Sequence, residues 1–284
     1  MSAGLTYVRP ENLDEALEFL KEHGEETAIL AGGTDVIIDL RAGALQARYL
    51  MDVSRLPELK GIAIHGDELW VGAGVTLSEI YVSKTLARFA PALQKAAFNF
   101  GSKQIRNTAT IGGNVGNASP SADTVPPLII HEAKVVLGSS NGQRILPVES
   151  ISIGPYRSAV RPDEVIIRFI LKPAEDIFED FQKIARRKAL VISRMSMAVL
   201  AEKDGAGKIA FIRLALGSST PTPCRMEEVE GFLLGKRPDK SLLWEAGRML
   251  AEKMVEISGR RPSTVYKEKA AQGLFMRLLY PLVQ

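Results

Sequence analysis

The sequence has 284 residues and a single cysteine, Cys224. One cysteine cannot form a disulfide within the chain, and it cannot build an iron–sulfur cluster or a zinc site that needs several thiolates. The sequence also lacks a run of about 18 apolar residues, and its start lacks the basic and then apolar segments of a secretory signal. These absences predict a cytoplasmic protein with no membrane span and no metal site built on several cysteines of this chain.

Excess charge is nearly absent as well, because 36 basic and 33 acidic residues leave a net charge of only +3. The densest basic patches, at 186–188 and 236–237, have no interleaved aromatic residues on which nucleic-acid bases could stack. We therefore expect no nucleic-acid partner. The hydrophobic fraction of 46% and the charged fraction of 24% are typical of a globular protein that buries a full core.

Short strands and helices alternate along the chain without the regular period of a doubly wound sheet. Asn12 can cap a first helix, Thr76 and Glu79 form a capping box, and Ser263 can cap the last helix. Strands or hairpins are predicted at 27–30, 49–53, 62–71, 134–146, 165–171, 196–202 and 209–217, and further helices at 36–40, 91–100, 226–234 and 242–257. This pattern indicates an α+β fold. The polar, proline-containing segment 172–176 is the best internal boundary.

Two stretches combine Gly-Gly with hydroxyl residues after a β-prone run. The first glycine loop, residues 29–36, reads ILAGGTDV, and the second glycine loop, residues 108–114, reads TATIGGN. Glycine permits positive φ angles and close approach, and successive N–H groups in such turns form a nest that holds an anion. The stretch 109–128 contains one ionisable group, Asp123. Because N–H and hydroxyl groups can hold a diphosphate without lysine, we expect this stretch to serve a ligand and not the core.

Other phosphate-binding and catalytic motifs do not fit. Neither loop ends in the Gly-Lys-Ser/Thr of a P-loop or matches the G-x-G-x-x-G dinucleotide fingerprint. His131-Glu132 lacks the second histidine of a zinc protease motif, and no Gly-x-Ser-x-Gly elbow is present. A single Gly-Gly after a strand is commonly only a turn, so each loop alone leaves a structural role open. The residues themselves indicate a phosphate-containing small molecule, bound without acid–base groups.

The two loops, in this order, resemble the flavin motifs of the FAD-binding (medium) subunit of the molybdenum hydroxylases, the family of xanthine dehydrogenase-like and carbon monoxide dehydrogenase-like complexes. The resemblance covers essentially the whole chain. It rests on AILAGGTDVI, TIGGNVGNASPSADTVPPL, GPYRSAVRPDEVIIRFILKP, FQKIARRKALVISRMSMAV, LALGSSTPTPCRMEEVEGFLLG and RRPSTVYKEKAAQGLFMRLL, which follow in the family's order.

The resemblance implies an α+β chain whose FAD-binding region, of the vanillyl-alcohol-oxidase type, covers residues 1–175 in two parts that meet near residue 53. Residues 176–284 then form a C-terminal domain of the carbon monoxide dehydrogenase flavoprotein type, with an antiparallel sheet and helices. FAD lies between the glycine loops in the family. The motif positions that carry over as cofactor contacts are Ile29, Leu30, Ala31, Gly32, Gly33, Thr34, Asp35, Val36, Thr110, Ile111, Gly112, Gly113 and Asn114.

Four further positions carry over outside the loops. Phe100 matches an aromatic residue that lies against FAD, and Ile166 matches an apolar flavin contact. Asp123 falls where the family has an acid near the cofactor, and Lys183 matches a basic contact. For Lys183, a solvated lysine on a strand edge is the alternative interpretation. No catalytic residue and no metal ligand is implied on this chain.

The function that the resemblance implies is electron transfer within a larger enzyme. In the family, a molybdenum-cofactor large subunit oxidises the substrate, and a small subunit with two iron–sulfur clusters relays the electrons to FAD. The flavin passes them to NAD⁺ or a quinone, in an assembly expected to be a dimer of heterotrimers. The first loop reads Gly-Gly-Thr-Asp and not the Gly-Gly-His-Ser associated with carbon monoxide dehydrogenases, which favours a xanthine dehydrogenase-like enzyme or another hydroxylase.

Two alternatives remain at this point. A self-sufficient flavin oxidase would need a substrate site after Glu175 and a base near the flavin, and the sequence indicates neither. A non-catalytic scaffold with a decayed site conflicts with the intact glycines of both loops and with Asp123.

Overall fold

The N-terminal part of the chain forms a small parallel sheet. A computed structural model describes residues 4–187 and 192–283. It begins with β1 (Thr6–Val8), α1 (Leu13–His23), β2 (Thr27–Leu30), α2 (Val36–Arg41) and β3 (Tyr49–Asp52), and the strands pair in the order β1-β3-β2. The Oδ1 atom of Asn12 accepts the N–H of Glu15 at 2.9 Å, which confirms the predicted cap of α1. Because parallel strands end at the same edge, the first glycine loop leaves the sheet where β3 also ends.

The middle of the chain forms a five-stranded antiparallel sheet with a cluster of short helices. Its elements are β4 (Ile62–His65), β5 (Glu68–Gly72), α3 (Leu77–Val82), α4 (Lys84–Phe89), α5 (Pro91–Phe98), α6 (Lys103–Thr108), α7 (Ile111–Gly116), α8 (Val125–Ile130), β6 (Lys134–Ser139), β7 (Gly142–Pro147), β8 (Ser152–Gly154), β9 (Arg157–Ser158) and β10 (Val165–Leu171). The strand order is β4-β5-β10-β6-β7, while β8 and β9 pair separately. Both predicted hairpins, β4–β5 and β6–β7, are confirmed.

The expectation that residues 109–128 serve a ligand and not the core is wrong in part. The stretch contains the whole of α7 and the start of α8, and Ile111, Val115 and Leu128 are buried in the largest hydrophobic cluster. The side chain of Thr110 caps α7 by accepting the N–H of Gly113 at 3.1 Å. Short helices of this kind are held by tertiary packing, since six residues are too few to form a stable helix alone.

The C-terminal part places three helices on one face of a second antiparallel sheet. Its elements are β11 (Phe178–Ala185), β12 (Ser193–Lys203), β13 (Ile209–Gly217), β14 (Cys224–Arg225), α9 (Glu227–Leu233), α10 (Lys240–Ser258) and α11 (Thr264–Leu279). The sheet order is β11-β12-β13-β14. Alternate residues of β12 face opposite sides: Met197 and Val199 pack in the cluster with α9–α11, whereas Ala198 and Leu200 pack in the cluster of the middle region. The C-terminal sheet is therefore covered on both faces, by α9–α11 on one and by the middle region on the other.

The predicted cap of the last helix is wrong in detail. Helix α11 does begin directly after Ser263, but the Ser263 side chain makes no capping bond. Its backbone is already helical, with φ −79° and ψ −9°, so its hydroxyl is not placed as an N-cap acceptor. The hydroxyl of Thr264 accepts the N–H of Arg261 at 2.8 Å instead. Within residues 4–187 and 192–283, no helix combines the length and apolar character needed to cross a membrane.

Candidate cofactor site

A cavity of about 390 Å³ lies between the carboxyl edge of the N-terminal sheet, helix α7 and strand β10. It gathers most of the residues that the sequence resemblance indicated. Those that line it are Ile29, Ala31, Gly32, Gly33, Thr34, Asp35, Val36, Phe100, Thr110, Gly112, Gly113, Asn114 and Ile166. The two glycine loops, which are distant in the chain, thus form two walls of one cavity.

The two loops touch each other through their glycines. A Cβ atom on Gly32 would lie 2.1 Å from the carbonyl oxygen of Thr108, so only glycine fits there. Across the cavity, a Cβ atom on Gly113 would lie 3.9 Å from the Cβ atom of Ala31. Gly33 has a φ of +72°, a conformation that glycine adopts without strain. The glycines therefore set the distance between the walls.

The N–H groups of the second glycine loop are already used by the protein. Ile111 donates to the carbonyl of Val75 at 3.0 Å, and Gly112 donates to the carbonyl of Ala73 at 2.8 Å. Asn114 donates to the carbonyl of Thr110, and Gly113 donates to the Thr110 hydroxyl. The expectation that both loops form anion nests is therefore wrong for the second loop. Its N–H groups are bonded to carbonyls of the segment before α3 and to its own capping residue, Thr110.

Residues 31–36 of the first glycine loop line the cavity. Among the described residues, the N–H groups of 32–36 donate to no protein acceptor, while the chain turns through Gly33 and enters α2. Successive N–H groups in such a turn attract an anion. Of the two glycine loops, the first is the one whose backbone is free to hold a phosphate group.

The cavity wall contains few charges. Its charged residues in the described part of the chain are Asp35, Arg161 and Glu164. Glu164 is neutralised by Arg144, whose Nη2 atom lies 2.7 Å from Oε2, and Glu164 also accepts the N–H of Arg161 at 2.8 Å. Burial, followed by the like charge of Asp39, raises the pKa of Asp35. Arg161 is left as the one cation of the described cavity wall.

Several wall residues were not predicted from the sequence. They are Thr27, Val53, Ser54, Leu59, Ala73, Gly74, Ala109, Gly116, Asn117, Ser158, Val160, Arg161, Pro162, Glu164 and Val165. The pair Val53 and Ser54 could have been found, because it directly follows β3 at the edge where β2 also ends. The segment 158–165 lies within the family motif GPYRSAVRPDEVIIRFILKP, but Ile166 was the one residue of that motif carried over as a contact.

Four predicted site residues do not line the cavity. Leu30 lies beneath the turn, where its Cδ1 atom would contact a Cβ atom on Gly33 at 3.1 Å, and Ile111 is fully buried in the core. Asp123 and Lys183 form a separate polar cluster between the middle region and the C-terminal sheet. These positions therefore support the wall or lie behind it.

The Asp123–Lys183 pair is enclosed by protein. Asp123 is 3% exposed, and its carboxylate accepts the Lys183 ammonium at 2.7 Å and the Ser193 hydroxyl at 2.5 Å. Burial raises the pKa of Asp123, and the Lys183 charge and the two hydrogen bonds act against this increase. The alternative of a solvated lysine is wrong, although Lys183 does lie on the edge strand β11.

A hydrogen bond connects this cluster to the cavity wall. The hydroxyl of Thr124, the residue after Asp123, donates to Oδ1 of Asn114 at 2.7 Å, and Asn114 lines the cavity. Ser121 donates to the carbonyl of Ser193 at 3.4 Å, across the same boundary. The position of the second glycine loop is therefore tied to the C-terminal sheet.

These features fit an extended, diphosphate-containing cofactor. The open N–H groups of the first loop suit a diphosphate, and Phe100, Val160 and Ile166 provide apolar wall for ring systems. No group of three or more His, Cys, Asp or Glu residues suited to a metal ion occurs within residues 4–187 and 192–283.

Comparison with known proteins identifies the family. Residues 3–173 match the family described as the FAD binding domain in molybdopterin dehydrogenase, and residues 180–282 match the CO dehydrogenase flavoprotein C-terminal domain. The xanthine dehydrogenase FAD-binding subunit of Escherichia coli O157:H7 is 34% identical over 228 residues, which cover 79% of this chain and 77% of that protein.

A carbon monoxide dehydrogenase medium chain from Hydrogenophaga pseudoflava is 30% identical over 274 residues, which cover 96% of this chain and 95% of that protein. A solved structure of carbon monoxide dehydrogenase from Hydrogenophaga pseudoflava has a TM-score of 0.91 at 27% identity and covers 99% of this chain and 98% of the solved one. The expected α+β fold of a FAD-binding region and an antiparallel C-terminal sheet is confirmed. The chain belongs to the family of FAD-binding subunits of the molybdenum hydroxylases, it is an oxidoreductase flavoprotein, and its cofactor is FAD.

Proposed function

We propose that this chain holds FAD in the cavity between the glycine loops and passes electrons from iron–sulfur clusters of a small subunit to NAD⁺ or a quinone. A molybdenum-cofactor large subunit would oxidise the substrate, and the subunits would assemble as a dimer of heterotrimers. The observation that carries the proposal is the cavity itself. It joins open N–H groups with apolar walls, and its described lining contains no histidine, lysine, tyrosine or cysteine.

The chain's own residues bind and orient in this proposal. The N–H groups of 32–36 hold the diphosphate, and Thr34 adds a hydroxyl beside them. Phe100 and Ile166 contact ring systems, while Gly113 leaves room between the walls. When bound, FAD supplies the redox chemistry, and the protein supplies its position and electrostatic surroundings.

The Asp123–Lys183 cluster supports the cofactor from behind the wall. The pair holds the loop between α7 and α8 against the C-terminal sheet, and Thr124 relays that position to Asn114. A division of the chain near residue 175 belongs to the proposal: residues 1–175, in two parts that meet near residue 53, bind FAD, and residues 176–284 close the site and face partner subunits.

The lining favours an electron-transfer subunit over a self-sufficient oxidase. An oxidase needs a group that takes a proton from its substrate near the flavin. Glu164 is paired with Arg144, and Asp35 is only partly buried. The described cavity therefore offers a binding site for a cofactor without a positioned base.

The proposal is tested on the complex with its molybdenum and iron–sulfur subunits. The clusters are reduced anaerobically with titanium(III) citrate, and their absorbance is followed after addition of NAD⁺ or menadione. We expect rapid reoxidation in the wild-type complex and none in a FAD-depleted Gly113→Val complex. A Gly231→Val complex is the control, because Gly231 lies in α9 with nothing within 4 Å of a new Cβ. Equal reoxidation without FAD would contradict electron transfer through this chain, and turnover by the isolated FAD-loaded chain would favour the oxidase.

A further inference from the structure

A second hollow lies on the outer side of helix α11, well separated in the fold from the glycine loops. This α11 groove has a volume of about 360 Å³. Its lining residues are Ile184, Tyr266, Lys269, Ala270, Gly273, Leu274 and Arg277. A Cβ atom on Gly273 would meet nothing within 4 Å, so the groove is open above this glycine.

The floor and margin of the α11 groove are apolar and accessible. Tyr266 is 50% exposed, and its neighbour Val265 is 67% exposed. Ile184, at the end of the edge strand β11, forms the opposite side. Exposed apolar surface next to a hollow commonly marks a protein interaction site, because the contact removes that surface from water.

The charge around the groove has one sign. Lys269 and Arg277 line it, and the guanidinium of Arg194 lies 6.0 Å from the centre of the Tyr266 ring. Within the described residues, none of these three cations has a carboxylate within 4.0 Å. The nearby acid Glu268 is opposite Arg260 at 4.0 Å. Arg277 does donate its Nε–H to Oε1 of Gln182, but that amide is neutral, so the charges of the three cations are not compensated within the described residues.

Lys267 lies on the first turns of α11, and its pKa is affected by the like charges nearby. Its ammonium donates to the carbonyl of Ser218 at 3.3 Å and pairs with no carboxylate in the part of the chain that is described. Burial, followed by the positive charges of Arg261 and Arg194, lowers the pKa of Lys267. Such crowding of cations is relieved by an anionic partner.

We propose that the α11 groove is a docking site for an acidic segment of a partner subunit, with an apolar side chain of that segment seated over Gly273. The proposal rests on the proposed function, because it requires that the chain works in a complex. Charge complementarity selects this occupant: carboxylates of the segment face Lys269, Arg277 and Arg194, while the apolar anchor is buried against Ile184 and Tyr266.

The test fills the groove without disturbing the helix. Gly273→Leu places a side chain in the open space and replaces a residue that is unfavourable within helices, so the fold is retained. Gly231→Leu is the matched control, since it is also a helical glycine with nothing within 4 Å. Both variants are expressed with the molybdenum and iron–sulfur subunits, and affinity is measured by titrating FAD-loaded chain against the partner subunits.

The expected result is at least about tenfold weaker binding for Gly273→Leu and wild-type binding for Gly231→Leu. Lys269→Glu is expected to weaken binding and to reduce its salt dependence, whereas Lys208→Glu, in the turn between β12 and β13, is not. Wild-type affinity of Gly273→Leu would overturn the docking proposal while leaving electron transfer intact. A groove that instead mediates self-association, seen as a dimer of the isolated chain that Gly273→Leu disrupts, would also overturn it. A wild-type chain that holds FAD but binds neither partner would overturn both proposals.

Discussion

Gly32 and Thr108 come from different glycine loops, yet a Cβ atom on Gly32 would stand 2.1 Å from the Thr108 carbonyl oxygen. This contact joins the N-terminal sheet to the helical cluster beside the two glycine loops that line the cofactor cavity. The distance between the walls is therefore fixed by backbone atoms on both sides.

Gly32→Ala is expected to separate the loops. The added methyl group meets backbone that cannot move aside, so we expect a loss of stability of about 1–3 kcal/mol and loss of bound FAD. Thermal unfolding and the FAD-to-protein ratio measure the two effects. Gly205→Ala, in the β12–β13 hairpin with nothing within 4 Å, serves as the control and should change neither. An FAD-replete Gly32→Ala chain would show that the contact is not needed.

Substitutions at two neighbouring glycines of the second loop are expected to affect different properties, stability at Gly112 and FAD binding at Gly113. A Cβ atom on Gly112 would lie 2.7 Å from both Cβ and O of Ala73, whereas a Cβ atom on Gly113, which lines the cavity, would meet the Thr110 hydroxyl at 3.1 Å and Ala31 Cβ at 3.9 Å. Gly112→Ala should therefore lower the melting temperature, and Gly113→Val should lose FAD with a smaller change in melting temperature. If both variants lose stability equally, Gly113 is structural and does not act by leaving room for the cofactor.

Arg161 is the one cation in the described wall of the cavity, but the open N–H groups of the first loop are proposed to hold the diphosphate. Arg161→Gln is therefore expected to weaken FAD binding by less than about tenfold, which corresponds to about 1.4 kcal/mol. Titration of apoprotein with FAD, followed by flavin fluorescence, gives the dissociation constant. A loss of a hundredfold or more would mean that a side chain, and not the backbone, binds the diphosphate.

Glu132 should make the contact between the two halves of the chain sensitive to acid. Its carboxylate lies 2.5 Å from the Lys172 ammonium and 2.8 Å from the Arg213 guanidinium. The Lys172 hydrogen bond, and then the Arg213 charge, lower the pKa of Glu132 below the ordinary 4.5. A lowered folded-state pKa stabilises the protein above pH 4.5, and this contribution is lost as the pH falls through the folded value.

Glu132→Gln is therefore expected to cost about 1 kcal/mol near pH 7 and progressively less below pH 4.5. Urea unfolding of both proteins across pH 3 to 7 measures the difference, under buffer conditions of about constant ionic strength. Glu252→Gln removes an exposed pair with Arg248 on α10 and should have little effect at any pH. A difference that stays constant with pH would show that Glu132 contributes by packing alone.

The sequence predicts elements best where the local pattern agrees with the final burial. Strand β10, Val165–Leu171, is apolar apart from Arg168 and matches its predicted limits, and α1 has both its cap and its apolar face. Strand β11 was missed because FEDFQKIA alternates weakly, and its pairing with β12 depends on contacts distant in the chain. Helices α6 and α7 were missed because Ser102 and Thr110 are capping residues within what looks like a loop.

The sequence likewise predicts one part of the cofactor site and not the other. The two glycine loops could be found because glycine is needed locally, and the structure does bring them together. The sequence could not show that the first loop has free N–H groups and the second does not. The acceptors of Ile111 and Gly112 are carbonyls of Val75 and Ala73, in another part of the chain. Likewise, Asp123 and Lys183 are sixty positions apart, and no local pattern shows that they pair with each other and not with solvent.

The most direct measurement is an absorption spectrum of the purified chain, with chromatography of the cofactor released on denaturation, for the wild type and Gly113→Val. The account predicts a flavin spectrum and about one FAD per wild-type chain, and a folded Gly113→Val chain without flavin. A wild-type chain that stays colourless with added FAD and with its partner subunits present, or a Gly113→Val chain with full FAD, would contradict the placement of the cofactor between the glycine loops.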